Sequence, residues 1–164
     1  MDYRTLEPKG RASVVNRTAA LSKSINGLDV PWPLKSLEDA LAETIIDATI
    51  DTMTLAELQL MQSSDLDQLP FGVIGLDRSG MTEIYNATEA RMAGLAPDSV
   101  LGSSFFNAIA QCMNNYLVAQ RFEDETELDD VIPYTLTLRM RPTPVRMRLL
   151  SSHAAPLRYI LIER

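Results

Sequence analysis

The sequence predicts an α+β fold in which five antiparallel strands form one sheet and short helices follow the second strand. Two apolar runs flank Asp77-Arg78-Ser79-Gly80 and predict a hairpin, because such polar residues and glycine favour tight turns. Alternating apolar and polar residues predict three later strands, at 134–140, 144–150 and 157–164. Between the hairpin and the three later strands, apolar residues at helical spacing in the segment at 86–122 predict short helices, which completes the α+β pattern.

Composition limits the classes of function. The chain has 164 residues and a net charge of −7, so it lacks the basic surface that binding to phosphate backbones needs, and we expect no nucleic-acid partner. No apolar run reaches the ~18 residues of a membrane helix, and the N-terminus does not resemble a signal peptide. We therefore expect a cytoplasmic protein without membrane contact. A single cysteine and a single histidine exclude an internal disulfide and the usual zinc sites.

The N-terminal part divides into two segments. Residues 1–33 lack a sustained period and contain several prolines and glycines, which predicts a flexible arm with Trp32 as an anchor against the domain or a partner. Residues 34–64 predict two acidic amphipathic helices, the second opened by a capping box of Thr54 and Glu57. Such helices fit either a homodimer contact or packing across the back of the sheet, and the sequence leaves both open.

The central segment runs from Leu69 to Cys112. It begins with a buried strand and a returning strand that ends at Tyr85. Asn86 is a good N-cap for the helix that follows, and Gly94 is a good stop. A further short helix is predicted at 105–110 and another at 113–122. Residues 123–130, with six acids in eight positions, predict a solvated acidic loop, the alternative being a docking patch for a basic partner.

These motifs resemble the sensory PAS fold and, within it, the photoactive yellow protein family. The resemblance covers a domain at about 65–164 and leaves the first sixty or so residues without a counterpart. Its specific residues are Phe71-Gly72, Tyr85-Asn86-Ala87, Glu89, Gly94, Val100, Gly102, Phe105-Phe106, Ala110, Cys112, Tyr134-Thr135, Met140, Pro142-Thr143 and Val145.

The resemblance implies a blue-light photoreceptor. A cysteine of that family carries p-coumaric acid (4-hydroxycinnamic acid) as a thioester, which maps onto Cys112. A tyrosine and a protonated glutamate hold the phenolate, which maps onto Tyr85 and Glu89, with Phe71 and Val73 in the wall. Trans–cis isomerisation and proton transfer would then signal to a separate downstream protein. A carboxyl group enclosed in apolar surroundings is kept neutral by the desolvation cost of its ion, which agrees with the role of Glu89.

The chain also departs from the family pattern. Ala93 replaces a threonine behind the tyrosine, Leu95 replaces an arginine that covers the chromophore, and Gln111 replaces a proline before the cysteine. Leu136 and Leu138 replace two strand aromatics near the ring. These departures leave open a second hypothesis, a PAS module that is not photoactive and binds another ligand or mediates assembly. We do not expect an enzyme, because a cysteine without a neighbouring histidine lacks the base that covalent catalysis uses.

Overall fold

The computed structural model describes residues 22–25, 28–31, 48–137 and 141–164. Backbone contacts divide the chain into two compact units, residues 1–42 and 43–164. In the first unit, β1 (Ser22–Ile25) pairs with β2 (Leu28–Pro31) in antiparallel register. These two strands lie within the segment at 1–33 for which the sequence predicts a flexible arm. Trp32 and residues 34–47 of the predicted helices lie outside the described residues.

The second unit contains the predicted five-stranded antiparallel sheet. Its strands are β3 (Gly72–Leu76), β4 (Thr82–Tyr85), β5 (Leu128–Leu136), β6 (Thr143–Ser151) and β7 (Arg158–Glu163). Their order across the sheet is β4-β3-β7-β6-β5, so the first strand of the sheet and the last one pair with each other. The fold class predicted from the sequence is thereby confirmed.

The turn between β3 and β4 forms where polar residues and glycine predict it. The Asp77 carboxylate accepts hydrogen bonds from the backbone N–H groups of Ser79 and Met81, each at 2.8 Å. Gly80 has a φ of 80°, a left-handed conformation that glycine adopts without a steric cost. The side chain of Asp77 therefore fixes the hairpin locally.

The helices are short and capped as the sequence indicates. Thr54 and Glu57 form the predicted capping box, with the Thr54 backbone N–H donating to Glu57 Oε2 at 2.7 Å. No helix in the described ranges is long and apolar enough to cross a membrane. The helices are α1 (Leu55–Leu60), α2 (Ser63–Leu66), α3 (Ala87–Ala93), α4 (Pro97–Val100) and α5 (Ala119–Asp124).

The predicted helix at 113–122 is wrong in its first half. A wide helical turn at Phe105–Ile109 and a single tight turn at Gln111–Met113 precede it, and α5 begins only at Ala119. The cause is Asn115, whose side-chain oxygen accepts from the backbone N–H groups of Leu117 and Val118, at 2.9 and 3.2 Å. Asparagine competes in this way with regular helical hydrogen bonding.

The predicted acidic loop at 123–130 is also corrected. Two of its residues end α5 and three begin β5, which leaves a short connection. Five of its six acids have a basic partner, because most of the segment lies beside arginines that the sheet and α5 present. The pairs are Glu123 with Arg158, Glu125 and Asp130 with Arg121, Glu127 with His153, and Asp129 with Arg148.

The sheet is covered on both faces. Ile74, Met147 and Ile162 belong to the core on the face that α3 and α5 cover. Arg148, one position along β6, points to the opposite face, where it donates to the carbonyls of Ile50, Asp51 and Met53 at 2.7, 3.0 and 2.9 Å. It also binds the Asp129 carboxylate at 2.7 and 2.8 Å. These contacts hold the segment at 50–53, which precedes α1, against the back of the sheet.

Replacing Arg148 by glutamine should lower the free energy of unfolding by about 3 kcal/mol, measured by urea denaturation. The substitution removes the charge and leaves three backbone carbonyls without their shared donor. Arg146→Gln is the matched control on the same strand, because the side chain of Arg146 is 48% exposed. The interpretation of Arg148 would be wrong if the two variants lost the same stability.

Candidate functional site

Tyr85 and Glu89 are brought together where β4 passes into α3. Asn86 caps the helix by accepting from the backbone N–H of Glu89 at 3.0 Å. The same oxygen accepts from the N–H of Val73 at 2.9 Å, so the helix start is fixed to β3. Tyr85 and Glu89 are 7% and 1% exposed. The predicted pairing of a tyrosine and a glutamate in one buried place is therefore present.

The buried carboxylate of Glu89 is held by Arg164, which follows β7. The two terminal nitrogens of Arg164 donate to the two oxygens of Glu89, each at 2.7 Å. The apolar surroundings predicted for Glu89 are wrong in one respect, because they include a guanidinium group. Gly72 makes this approach possible, since a Cβ atom there would lie 2.1 Å from Glu89 Oε2.

A small closed cavity lies beside this pair. Its volume is about 10 Å³, roughly the space that one water molecule needs. Its wall is apolar except for two residues, the hydroxyl-bearing Tyr85 and the carboxylate-bearing Glu89. The lining residues are Ile74, Tyr85, Glu89, Leu95, Phe105, Ile109, Ala110, Met113, Leu136 and Ile162.

The hydroxyl group of Tyr85 has no hydrogen-bond partner among the described residues. Burial raises the pKa of Tyr85 far above its usual value, the charge of Glu89 raises it further, and that of Arg164 lowers it. The phenol is therefore neutral at physiological pH. It can offer a proton to a ligand in the cavity.

Cys112 lies in the turn Gln111–Met113 and is half-buried. Cys112 itself does not line the cavity, whereas Ala110, two residues before it, and Met113, directly after it, do. The Cys112 carbonyl accepts from the Tyr134 hydroxyl at 2.6 Å and from the Asn115 amide at 2.8 Å. These two side chains, which are also bonded to each other at 2.7 Å, fix the backbone that carries the thiol. Neither side chain is predicted from the sequence to have a role in the site.

Phe71 and Val73 do not line the cavity, which corrects their predicted place in the wall. Val73 pairs with Leu161, whereas Gly72 and Ile74 pair with Ile162 and Ile160 of the core beside the cavity. Since side chains alternate along a strand, Val73 faces the other side of the sheet. Phe71 is buried but stands outside both the cavity wall and that core. Leu95 and Leu136 do line the cavity, and Leu138 lies outside the described residues.

Arg164 is the functional residue that the sequence analysis missed. The pattern that indicates it is the alternation along β7, in which Ile160, Ile162 and Arg164 share one face. The two isoleucines belong to the core beside the cavity. An arginine at the next position of the same period is therefore directed to the same place.

Comparison with known proteins identifies the family. A photoactive yellow protein of Halochromatium salexigens is 33% identical over 107 residues, which are 63% of this chain and 86% of that protein. The chain belongs to the photoactive yellow protein family. A photoactive yellow protein of Rhodothalassium salexigens is 30% identical over 107 residues, with the same two shares. No family model matches the sequence.

A solved structure agrees with this family. The photoactive yellow protein domain of the sensor histidine kinase Ppr from Rhodospirillum centenum has a TM-score of 0.62 and 29% identity to this chain. The match covers 66% of this chain and 98% of that domain. The PAS fold predicted for the C-terminal part is thus confirmed.

Membership of the photoactive yellow protein family implies a phenolic thioester, and the chemistry of the site residues fits such a ligand. Tyr85 and Glu89 provide polar groups for a phenol, the other walls suit a ring, and Cys112 lies between two residues that line the cavity. The cavity is too small to hold a p-coumaroyl group as it stands, because that group is much larger than a water molecule. Binding therefore requires the apolar side chains of the wall to move apart.

Tyr85→Phe should make the stability of this protein less sensitive to alkali. Because the pKa of Tyr85 is raised in the folded state, the unfolded chain loses this proton first, near its ordinary pKa of 10.0. The free energy of unfolding therefore falls as pH rises above that value. The phenylalanine variant lacks this part of the loss and should show a shallower slope, measured by denaturant titration at several alkaline pH values.

The control for this prediction is Tyr116→Phe, because Tyr116 is 76% exposed. Part of the alkaline loss should persist in both variants, since burial also raises the pKa of Tyr159. Equal slopes in wild type and Tyr85→Phe would show that Tyr85 is not protected in the folded state.

Proposed function

We propose that the chain is a blue-light photoreceptor that holds a p-coumaric acid-type chromophore as a thioester of Cys112. The observation that supports this most is the shared cavity of Tyr85 and Glu89, which Ala110 and Met113, two residues before and one residue after Cys112, also line. Membership of the photoactive yellow protein family makes a phenolic thioester the ligand to test first.

The bound group would supply light absorption and a double bond that isomerises from trans to cis. In the proposed site, Cys112 anchors one end of the ligand and Tyr85 donates a hydrogen bond at the other end. Leu95, Ile109 and Met113 exclude water between them. The cavity wall also includes Ile74 of β3 and Ile162 of β7, so a change in the shape of the ligand would press on the middle of the sheet.

The proposed output is a conformational change that a separate signalling protein reads. The similar domain of Rhodospirillum centenum belongs to a sensor histidine kinase, which makes a signalling partner a reasonable expectation here. We further propose that the predicted apolar stripe of Leu37, Leu41 and Ile45 contributes to a homodimer. Ile45→Asp should then reduce the mass measured by light scattering from that of a dimer to that of a monomer, and a mass unaffected by the substitution would exclude this contact.

A second candidate is a PAS module that is not photoactive. The cavity of about 10 Å³ and the apolar residues Leu95 and Leu136 in its wall favour it, because a small closed cavity can simply be part of a core. In that case Cys112 would be a half-buried core residue without a covalent ligand.

Addition of activated p-coumaric acid to the purified protein distinguishes the two candidates. We expect a covalent adduct by mass spectrometry and a new absorption band beyond that of the aromatic residues, which light bleaches reversibly. Both should be absent in Cys112→Ala. Tyr134→Phe should slow adduct formation, since it removes a hydrogen bond from the Cys112 carbonyl. Failure of the wild-type protein to form an adduct would exclude the photoreceptor.

A further inference from the structure

We propose that a polar cleft between the β3–β4 turn and α5 binds a small α-amino acid, with Arg158 receiving its carboxylate and Glu123 its ammonium group. None of the described residues lines both this cleft and the cavity of Tyr85 and Glu89. The proposal therefore does not rest on the proposed function, and it gives the domain a second ligand.

The cleft is large enough for such a ligand. Its volume is about 340 Å³, which lies in the range of ~300–1,000 Å³ found for small-molecule sites. The turn contributes Ser79 to its wall, the segment before α5 contributes Asn114 and Tyr116, and α5 contributes Gln120. The wall is thus rich in hydroxyl and amide groups, which suits a polar molecule.

Arg158 is a buried cation with one unused edge. It begins β7, and its side chain is 9% exposed. Its Nη1 atom donates to Glu123 Oε1 at 2.6 Å. Its Nε atom is buried without a hydrogen-bond partner, and Nη2 also has none among the described residues. A buried donor without a partner is unfavourable, so the edge formed by Nε and Nη2 is available to an acceptor.

Two other arginines of the domain show what this edge binds. In Arg148, Nε and Nη2 donate to the two oxygens of Asp129 at 2.7 and 2.8 Å. In Arg121, the same two atoms donate to Glu125 at 2.7 and 3.2 Å. A planar guanidinium group matches a carboxylate in this bidentate way. Because Arg158 forms part of the cleft wall, a carboxylate in the cleft would approach its free edge.

The guanidinium group of Arg158 is held in place before any ligand binds. Its Cζ atom lies 5.9 Å from the centroid of the Phe122 ring, a distance at which a cation is attracted to an aromatic face. Phe122 is itself buried in the core. Binding at Arg158 would therefore cost little side-chain entropy.

Glu123 decides between a simple anion and an amino acid. Among the described residues of the wall, only Glu123 and Arg158 are charged, so the cleft is neutral as a whole. A simple anion would gain the attraction of Arg158 but also meet the repulsion of Glu123. A zwitterion avoids this conflict, because its ammonium group can donate to Glu123 while its carboxylate binds Arg158. The two charges of an α-amino acid are close together, as are the two side chains.

The remaining free groups of the cleft are mainly acceptors. Gln120 donates through its amide nitrogen to Asp124 at 2.9 Å, and Asn114 donates to Asn107 at 3.3 Å. In the part of the chain that the structure describes, the side-chain oxygens of Gln120 and Asn114 have no partner. These oxygens can accept from N–H groups of a ligand, as in a side-chain amide. L-Glutamine is therefore the probe with which to test the site.

The first experiment titrates isotope-labelled protein with L-glutamine and follows the Nε–H signals of the arginines by NMR. The Arg158 signal, identified by its loss in Arg158→Lys, should shift saturably. The signals of Arg121 and Arg148 are internal controls and should not shift, because their Nε atoms already donate to carboxylates. An Arg158 signal that does not change in excess L-glutamine would overturn the proposal.

The second experiment compares L-glutamine with acetate, which has the carboxylate but lacks the ammonium group. Wild type should bind L-glutamine at least about tenfold more tightly, because the ammonium group adds a charge-assisted hydrogen bond. Glu123→Gln should reduce this preference about tenfold, since it removes the acceptor for the ammonium group and the repulsion of acetate. Glu123 is 63% exposed, so the substitution leaves the core intact.

Glu125→Gln is the matched control for the second experiment. It makes the same chemical change two residues further along the chain, where the carboxylate binds Arg121 and does not line the cleft. This variant should keep the wild-type preference for L-glutamine. Equal affinity of wild type for the two probes, or a preference that persists in Glu123→Gln, would show that the cleft is not an amino-acid site.

Discussion

The three middle strands of the sheet, β3, β7 and β6, are buried on both faces. The fold therefore requires other residues to pack on each face of the sheet. On the face beside the cavity the cover is an apolar core. On the opposite face Arg148 joins β6 to the carbonyls at 50–53 through one side chain. Because adjacent residues of β6 point to opposite sides, the strand that carries Arg148 also contributes Met147 and Leu149 to the core by the cavity. The two covers are thus connected through a single strand.

The pocket follows from the same alternation. β3 and β7 are paired so that Gly72 lies opposite Ile162, and Arg164 comes two residues after that position. Asn86 fixes the start of α3 against β3 and thereby places Glu89 over Gly72. The ion pair therefore arises where a helix start, a glycine and a strand end meet. The pairing of β3 with β7 and the contact of the helix start with β3 are enough to bring the two side chains together.

The sequence was sufficient for the fold and for the meeting of Tyr85 and Glu89 in one buried place, because turns, caps and strand periods are local and the family motifs are specific. It was not sufficient for contacts between distant residues. Arg148 binds a segment almost a hundred residues earlier, and Arg164 binds a helix residue 75 positions earlier. The error at Val73 came from the strand being apolar on both faces, since such a run does not indicate which residues face the pocket.

Gly72 has a consequence for how this site can vary among relatives. Any side chain at this position would occupy the space of the Glu89 carboxylate. Positions 72 and 89 should therefore change together: a relative with alanine or a larger residue at the first should carry a shorter or differently directed residue at the second. In such a relative the arginine after the last strand would lose its partner, and selection for it would relax. Three positions far apart in the sequence thus form one unit of variation.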